Sequence, residues 1–352
     1  MTPTTIADPS VGLFDGRYEL RALIGQGLFG EVWNALDTTT GRTVALKLLD
    51  GSKTTPDAAW REATSLTALE SPLLVRVHGA ALALDVPYLD TELAVNGAAS
   101  AAASPFGVAP FVAVRWTRQV AQGLHLCHQR GLLHRDVKPA NVFLDANRDA
   151  RLGDFGEAAM RAGDGSAAVG GDPQIRAPEV LKGGRCTVGS EVYSAGMTLH
   201  ALLTGRLPFR WEDFGGFSQL RDAALGGPPD IREVSPHVDI ALAKVVRKAT
   251  SLNPASRYSS AAELDAALSR LSRGTRDLRE IAPHPGATRC WAGEPGSSGP
   301  TPVHVCVTPD GSGRFQVLTR YVPSGNRITA GCGPTTVSQL PTVLRRVLAN
   351  LR

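Results

Sequence analysis

Two short runs in this 352-residue sequence gather ionisable residues in a pattern that packing does not explain. The first is His134-Arg135-Asp136-Val137-Lys138-Pro139-Ala140-Asn141, and the second, after twelve intervening residues, is Asp154-Phe155-Gly156. Turn formation accounts neither for four ionisable residues in the first run nor for another carboxylate at that distance. Metal-assisted phosphoryl transfer accounts for both. That chemistry needs a carboxylate to orient a hydroxyl and take its proton, a cation beside the transferred group, and oxygen ligands for Mg²⁺.

A phosphate-handling surface is expected further upstream. Gly25-Gln26-Gly27-Leu28-Phe29-Gly30-Glu31-Val32 is a glycine-rich turn with strand character on both sides. That context argues against a strand-to-helix dinucleotide site and for a hairpin lid whose backbone N–H groups approach phosphate oxygens. Fifteen residues after Val32, Val44-Ala45-Leu46-Lys47 ends on one of only six lysines. Strand alternation puts Ala45 and Lys47 on one face, so a small residue can border a base while the ammonium reaches phosphate. Glu62, fifteen residues on, is placed to hold that ammonium from a helix.

The elements that must position these groups can be outlined. Tyr18 to Ile24, Val32 to Leu36 and Thr43 to Leu49 read as strands. Thr55-Pro56 reads as a helix start, with Trp60, Ala63, Leu66 and Leu69 at helical spacing. Strands at Leu74 to Leu84 and Tyr88 to Leu93 complete a small β-rich lobe. Beyond Pro110 the period becomes helical, with Val112, Trp116, Val120, Leu124 and Cys127 in an i, i+4 series. Further helices are expected through Val192 to Leu203, Val238 to Ala249 and Ala261 to Leu271.

The set of motifs, extended by Ala177-Pro178-Glu179, resembles the eukaryotic-like, bacterial-type serine/threonine protein kinases over about Tyr18 to Leu271. The resemblance implies an α+β fold with two lobes, β-rich over 17–93 and helical over 94–272. It implies ATP and Mg²⁺ as cofactors and protein substrates with Ser or Thr acceptors, with autophosphorylation alongside. It gives Lys47 the α- and β-phosphates, with Glu62 as its partner. Asp136 becomes the group that positions and deprotonates the hydroxyl, Lys138 the neutraliser of γ-phosphoryl charge, and Asn141 and Asp154 the Mg²⁺ ligands. Ile24, Gly25, Gly27, Gly30, Val32 and Ala45 would surround the nucleotide, with Thr91 as gatekeeper. The backbone of Glu92 and Ala94 would face adenine, and Phe143 would lie beneath it. Asn253-Pro254-Ala255-Ser256-Arg257-Tyr258 is similar to the late segment whose arginine pairs with Glu179.

The sequence departs from the family pattern at two places. Asp172 stands where a threonine usually bonds the catalytic Asp and Lys, bringing a carboxylate close to Asp136 or into a pair with Lys138. Glu191 stands where an Asp usually accepts from the catalytic loop backbone. These departures motivate the alternative of a pseudokinase or scaffold that binds ATP with little transfer. Arg135 implies an activation segment ordered by phosphorylation, yet Ser166 is the only hydroxyl residue between Glu157 and Glu179. Activation is expected either to rest on Ser166 or to need no phosphate, with Asp164 or Asp172 substituting.

Composition sets the frame. Hydrophobic residues at 43% and charged residues at 20% exclude a disordered chain or a coiled-coil rod. The net charge of +4 is unevenly spread: 27 basic against 29 acidic residues up to Ser272, then ten against four from Arg273 on. The C-terminal arginines read as a solvated surface, so no nucleic-acid partner is expected. Five widely spaced cysteines without Cys-x-x-Cys suggest neither a disulfide framework nor a zinc site. The apolar stretch from Leu93 to Val114 is broken by Asn96, Gly97, Pro105 and Pro110, so no membrane span and a cytoplasmic setting are expected. Residues 1–16 read as a disordered tail and 273–301 as a Pro/Gly/Ser-rich linker. Residues 302–352 form a small β/α module, either a stabilising appendage or a partner-recruiting one. There Val303, Val305 and Val307 alternate along a strand, Asp310-Gly311 marks a turn, and Leu344, Val347, Leu348 and Leu351 share a helix face.

Overall fold

A computed structural model describes residues 6–7, 12–27, 30–50, 69–83, 85–295 and 301–352. The expected helix through Trp60, Ala63 and Leu66 lies outside these residues, as does Glu62. The amino-terminal lobe is an antiparallel sheet of β1 (Tyr18–Gly27), β2 (Gly30–Asp37), β3 (Arg42–Leu49), β4 (Val77–Ala83) and β5 (Val86–Glu92), in the order β1-β2-β3-β5-β4. Alternation sorts its faces. Trp33 and Ala35 of β2 and Val44, Leu46 and Leu48 of β3 are buried with Tyr18 and Tyr88. Val32, Ala45 and Lys47 occupy the opposite, half-buried face.

The second lobe is helical. Its described helices are α1 (Ala99–Ala103), α2 (Pro110–Gln129), α3 (Pro178–Leu181), α4 (Val188–Thr204), α5 (Phe217–Ala224), α6 (Ile231–Val234), α7 (Ile240–Ala249) and α8 (Ala261–Ser269). Pro110 at the first turn starts α2 where its missing N–H costs nothing, and Trp116, Val120, Leu124 and Cys127 bury one face. α4 is buried along nearly its whole length. Thr187 and Ser190 close a capping box at its start, and Gly205 ends it in the left-handed region at φ 83°. Between α2 and α4, the short strands β6 (Leu132–Leu133), β7 (Val142–Leu144), β8 (Ala150–Leu152) and β9 (Ala159–Met160) pair as β6-β9 and β7-β8. They frame the segment that carries His134 to Asp154.

The C-terminal region differs from the sequence expectation at its start. The stretch 273–301, read as a linker, contains β10 (Arg276–Ile281) and β11 (Arg289–Pro295). With β12 (Val303–Pro309), β13 (Arg314–Tyr321) and β14 (Gly333–Thr336) they form one antiparallel meander, covered by α9 (Leu340–Leu351). The prolines that suggested a linker, Pro283 and Pro285, sit in the β10–β11 connection. Only Leu278 and Trp291 supply large side chains from these two strands to the core, too few for alternation to show. They pack with Val303, Val305, Val307, Val317, Leu344, Val347 and Leu348. Two strands and a helix would be marginal alone; five strands under a helix make a core.

The module rests on the helical lobe through polar contacts. Phe111 N–H at the start of α2 donates to Asp277 at 3.3 Å, and the Arg273 guanidinium lies 4.0 Å over the Phe111 ring. Arg289 donates to the Val234 carbonyl at 2.9 Å, and Arg352 pairs with Asp239 at 2.6 Å. Several arginines behind the local positive charge are therefore bound internally. The segment read as a disordered tail is also tied down in part: Tyr88 Oη donates to Asp15 at 2.5 Å, and the Ile6 N–H donates to Glu31. Among the described residues, no helix is long and apolar enough to cross a membrane.

Candidate active site

The cleft between the lobes gathers groups from β3, the 134–141 loop and the 154–156 turn. Lys47 Nζ lies 2.7 Å from Asp154 Oδ1. Lys47, chiefly, holds the Asp154 carboxyl below the usual carboxylate range although burial acts the other way. Asp154 sits in the left-handed region at φ 57°, and Arg135 does so at φ 67°. Two such non-glycine residues flanking one site are costly and need support from the surroundings. His134 supplies part of it. Its fully buried ring packs 4.5 Å from Phe155, and Nε2 is 3.0 Å from the Gly153 carbonyl.

Asp136 is 6% exposed, and both of its carboxylate oxygens are engaged. Oδ1 accepts from the Asp172 N–H at 2.8 Å, while Oδ2 accepts from Asn141 Nδ2 at 2.9 Å and faces Lys138 Nζ at 2.9 Å. Asn141 donates also to the Asp136 carbonyl. With its amide nitrogen turned toward Asp136, Asn141 keeps its carbonyl oxygen as an acceptor, and the Asp154 carboxylate is 40% exposed. Two hard oxygen donors of this kind fit Mg²⁺, which seeks carboxylate and carbonyl oxygen.

Both departures from the family pattern are accommodated. Asp172 turns its carboxylate to Lys138 at 3.3 Å, and it also caps the following turn by accepting from Gln174 N at 3.0 Å. Lys138 therefore bridges two carboxylates. Burial works against its ammonium, but Asp136 and then Asp172 outweigh it and raise its pKa. Glu191 is 2% exposed and fills the longer reach with two short contacts. Oε1 accepts the Arg135 N–H at 2.5 Å, and Oε2 meets His128 Nε2 at 2.5 Å. The extra methylene is absorbed by a histidine that sequence reasoning did not single out.

The segment after Gly156 is anchored to the catalytic loop by Arg135 and Glu157. Arg135 donates to the carbonyls of Glu157 and Ala168, and the Glu157 carboxylate accepts the Gly171 N–H at 3.0 Å. Asp164 and Asp172, the acidic candidates expected from sequence, are engaged with Ser166 and Lys138 respectively, while Glu157, directly after Gly156, carried no signal in the sequence. Ser166 is 6% exposed. Its hydroxyl donates to Asp164 at 2.7 Å and accepts from Arg185 Nε at 2.5 Å. Further along, Arg257 forks onto Glu179 with two bonds of 2.7 Å, its own side chain wholly buried. Breaking such a pair from one side strands a buried charge, at a cost of about 3–5 kcal/mol.

The remaining expected residues lie on β1, β2, β3, β5 and β7 or close to their ends. Gly25 and Gly27 lie in β1 and Gly30 opens β2, where a Cβ would come within 2.0 Å of the Leu48 carbonyl oxygen. Ile24 is half exposed on β1. Val32 is paired with Lys47 and Ala45 with Thr91, whose hydroxyl donates to the Ala45 carbonyl at 3.1 Å. The Glu92 carboxylate is gripped by Arg151, and the Ala94 carbonyl accepts from Gly97. Phe143 lies on β7 against Gly153, where any Cβ would meet its ring at 2.9 Å. Leu28 and Phe29 at the tip of the glycine-rich turn lie outside the described residues.

Comparison with known proteins adds an independent line. A family model described as "Protein kinase domain" matches residues 18–267. The chain is 34% identical over 277 residues to "Serine/threonine-protein kinase PknB" of Mycolicibacterium smegmatis, covering 73% of this chain and 43% of that protein. It is 32% identical over 290 residues to the PknB of Mycobacterium tuberculosis, covering 78% and 44%. To "Putative CBL-interacting protein kinase 27" of Oryza sativa subsp. japonica it is 34% identical over 209 residues, covering 56% and 52%. The chain thus spans less than half the length of these bacterial relatives.

Proposed function

The chain belongs to the protein kinase family, and from that premise we propose that it transfers the γ-phosphoryl group of Mg-ATP to Ser or Thr hydroxyls of proteins, itself included. The observation that carries this reading is the pair of short-range sets in one cleft, Lys47 with Asp154 at 2.7 Å and Asp136 with both Asn141 and Lys138 at 2.9 Å.

The residues divide the work. Lys47, on the half-buried face of β3, directs its ammonium at the α- and β-phosphates. Asn141 and Asp154 would hold Mg²⁺, which would supply charge neutralisation on the phosphate oxygens. Asp136 orients the acceptor hydroxyl and takes its proton as the new O–P bond forms and the bond to the departing ADP breaks. Its two engaged oxygens keep the carboxylate from rotating away from that task. Lys138 faces the γ-phosphoryl oxygens and is shared with Asp172 until substrate arrives. Glu62 holds Lys47 in the same reading. Ile24, Gly25, Gly27, Gly30, Val32, Ala45, Glu92, Ala94 and Phe143 enclose the nucleotide. Lys138, two residues after Asp136, and the names of the relatives both support Ser and Thr acceptors over Tyr.

A cytoplasmic setting and a role in signalling accompany this proposal. So does a kinase domain over 17–272 followed by a module, whose first strand starts at Arg276. Recruitment of a partner through residues 302–352 fits the exposure of Val322 and Val337 there. The test is transfer of labelled phosphate from ATP to a generic basic protein, with phosphoamino-acid analysis of the product. Asp136→Asn is expected to lower the rate at least about a hundredfold. Equal rates for the two proteins would overturn catalysis and leave a nucleotide-binding scaffold.

A further inference from the structure

The outer face of the C-terminal sheet carries a cluster that plays no part in phosphoryl transfer. Cys290 on β11 and Cys306 on β12 are register partners, directly opposed across the two strands. Their sulfurs lie 2.6 Å apart, and both cysteines are free. The β10–β11 connection folds His284 over the pair, with Nδ1 3.4 Å from Cys306 Sγ, and the His284 N–H reaches Cys290 Sγ at 3.4 Å. The three ligand atoms lie within 4.8 Å of one another. Cys290 is fully buried, Cys306 is half-buried and His284 lies in an exposed turn.

We propose that Cys290, Cys306 and His284 bind a zinc(II) ion. Two thiolates and an imidazole are the donor set of tetrahedral zinc sites. With Zn–S near 2.3 Å and Zn–N near 2.0 Å, a tetrahedron sets sulfur to nitrogen at about 3.5 Å and sulfur to sulfur at about 3.8 Å. The first separation is already present between Cys306 Sγ and His284 Nδ1. The second needs only a rotation of the two thiols away from each other. A disulfide is the competing state of this pair, since 2.6 Å lies nearer to the roughly 2.05 Å of an S–S bond than to zinc spacing, but it would leave the imidazole that faces the sulfurs without an ion to bind. The backbone N–H directed at Cys290 Sγ suits a thiolate, since metal ligands are commonly oriented by such outer hydrogen bonds. His304 is two residues before Cys306 on the same face, its ring 4.9 Å from that of His284.

The site has a structural consequence. Arg289, next to Cys290, binds Glu280 across the hairpin and the Val234 carbonyl of the helical lobe. An ion joining His284 to the two strands fixes the hairpin from which that arginine reaches the lobe.

The experiment uses the full chain, purified with a non-thiol reductant. Elemental analysis is expected to find about one zinc per chain, and cobalt(II) exchanged into the protein should show thiolate-to-cobalt charge-transfer absorption. Cys290→Ser/Cys306→Ser should lose both signals, with far-ultraviolet circular dichroism reporting whether the fold persists. His284→Gln, a change in an exposed turn, should weaken zinc binding at least about tenfold. Failure of the reduced wild-type chain to take up either metal from excess would overturn the proposal, whatever the variants do. So would uptake undiminished by the double substitution, or an intact mass showing a Cys290–Cys306 disulfide in protein isolated without oxidant.

Discussion

The catalytic cleft and the cysteine–histidine cluster are both small constellations of polar side chains, yet they are assembled in opposite ways. The cleft draws most of its groups from loops: Asp136, Lys138 and Asn141 lie within six residues, and Asp154 follows closely. The backbone there is irregular, with Arg135 and Asp154 at positive φ. The cluster draws two of its three groups from regular strands, where register alone brings residues sixteen apart into contact. In a loop, spacing is dictated by the chemistry and so becomes a motif. On a sheet, spacing is dictated by the length of the connection, and the chemistry leaves no fixed interval behind.

Three interventions test how separate the two regions are. The largest effect is expected from Trp291→Ala. Trp291 is fully buried on the core face of β11, opposite Cys290, and its removal should cost about 3–5 kcal/mol. Calorimetry should show the module melting earlier, while the phosphotransfer rate at moderate temperature stays within about twofold. A rate that falls in step with the module's melting would make the two regions one unit.

Acid should probe the contact between them. Burial depresses His200 to about 4 within the helical lobe, and burial, followed by Arg289 and Arg352 of the module, depresses His237 to about 3. Each is neutral in the folded chain while its unfolded counterpart gains a proton below about pH 6.5. Stability is therefore full above that value and declines as pH falls toward the folded pKa, by up to about 1.4 kcal/mol per pH unit for each histidine. His237→Gln should flatten one share of this slope in a pH series of denaturant melts. An unchanged slope would remove His237 from the account.

The smallest effect is expected from Ser166→Ala. With Arg135 held by the carbonyls of Glu157 and Ala168, loss of the hydroxyl should change the initial rate by less than about twofold. Intact mass of the active protein should show no phosphate at Ser166. A large loss of rate, or stoichiometric phosphate there, would place control of the cleft in the Ser166 hydroxyl.

The sequence made the two-lobed fold legible because its motifs sit at element ends, where glycine, proline and charged residues are least replaceable by generic ones. It also made Lys47, Asp136, Asn141 and Asp154 candidates, since each lies in a run with chemical meaning. The partners that hold them were harder to read. His128 lies in the last turn of α2 and looks like any helical histidine; only the fold brings it to Glu191. Glu157 matters through both its carbonyl and its carboxylate, and a carbonyl has no letter in the sequence. The linker reading gave way to β10 and β11 because prolines such as Pro283 and Pro285 mark a turn between strands as readily as a flexible tether. The cysteine pair leaves no trace in the sequence for a related reason: without Cys-x-x-Cys, two cysteines sixteen residues apart signal nothing until the strands pair.

One helix links these observations. α2 runs for 20 residues, about 30 Å, with no proline beyond its first turn. At its start, Phe111 is clasped by Asp277 and Arg273 of the module; at its end, His128 meets the carboxylate that receives the Arg135 N–H. It is in effect a strut, with the sheet fastened to one end and the catalytic loop to the other. The module and the amide beside Asp136 are thus fastened to opposite ends of one continuous helix, with no loop in between.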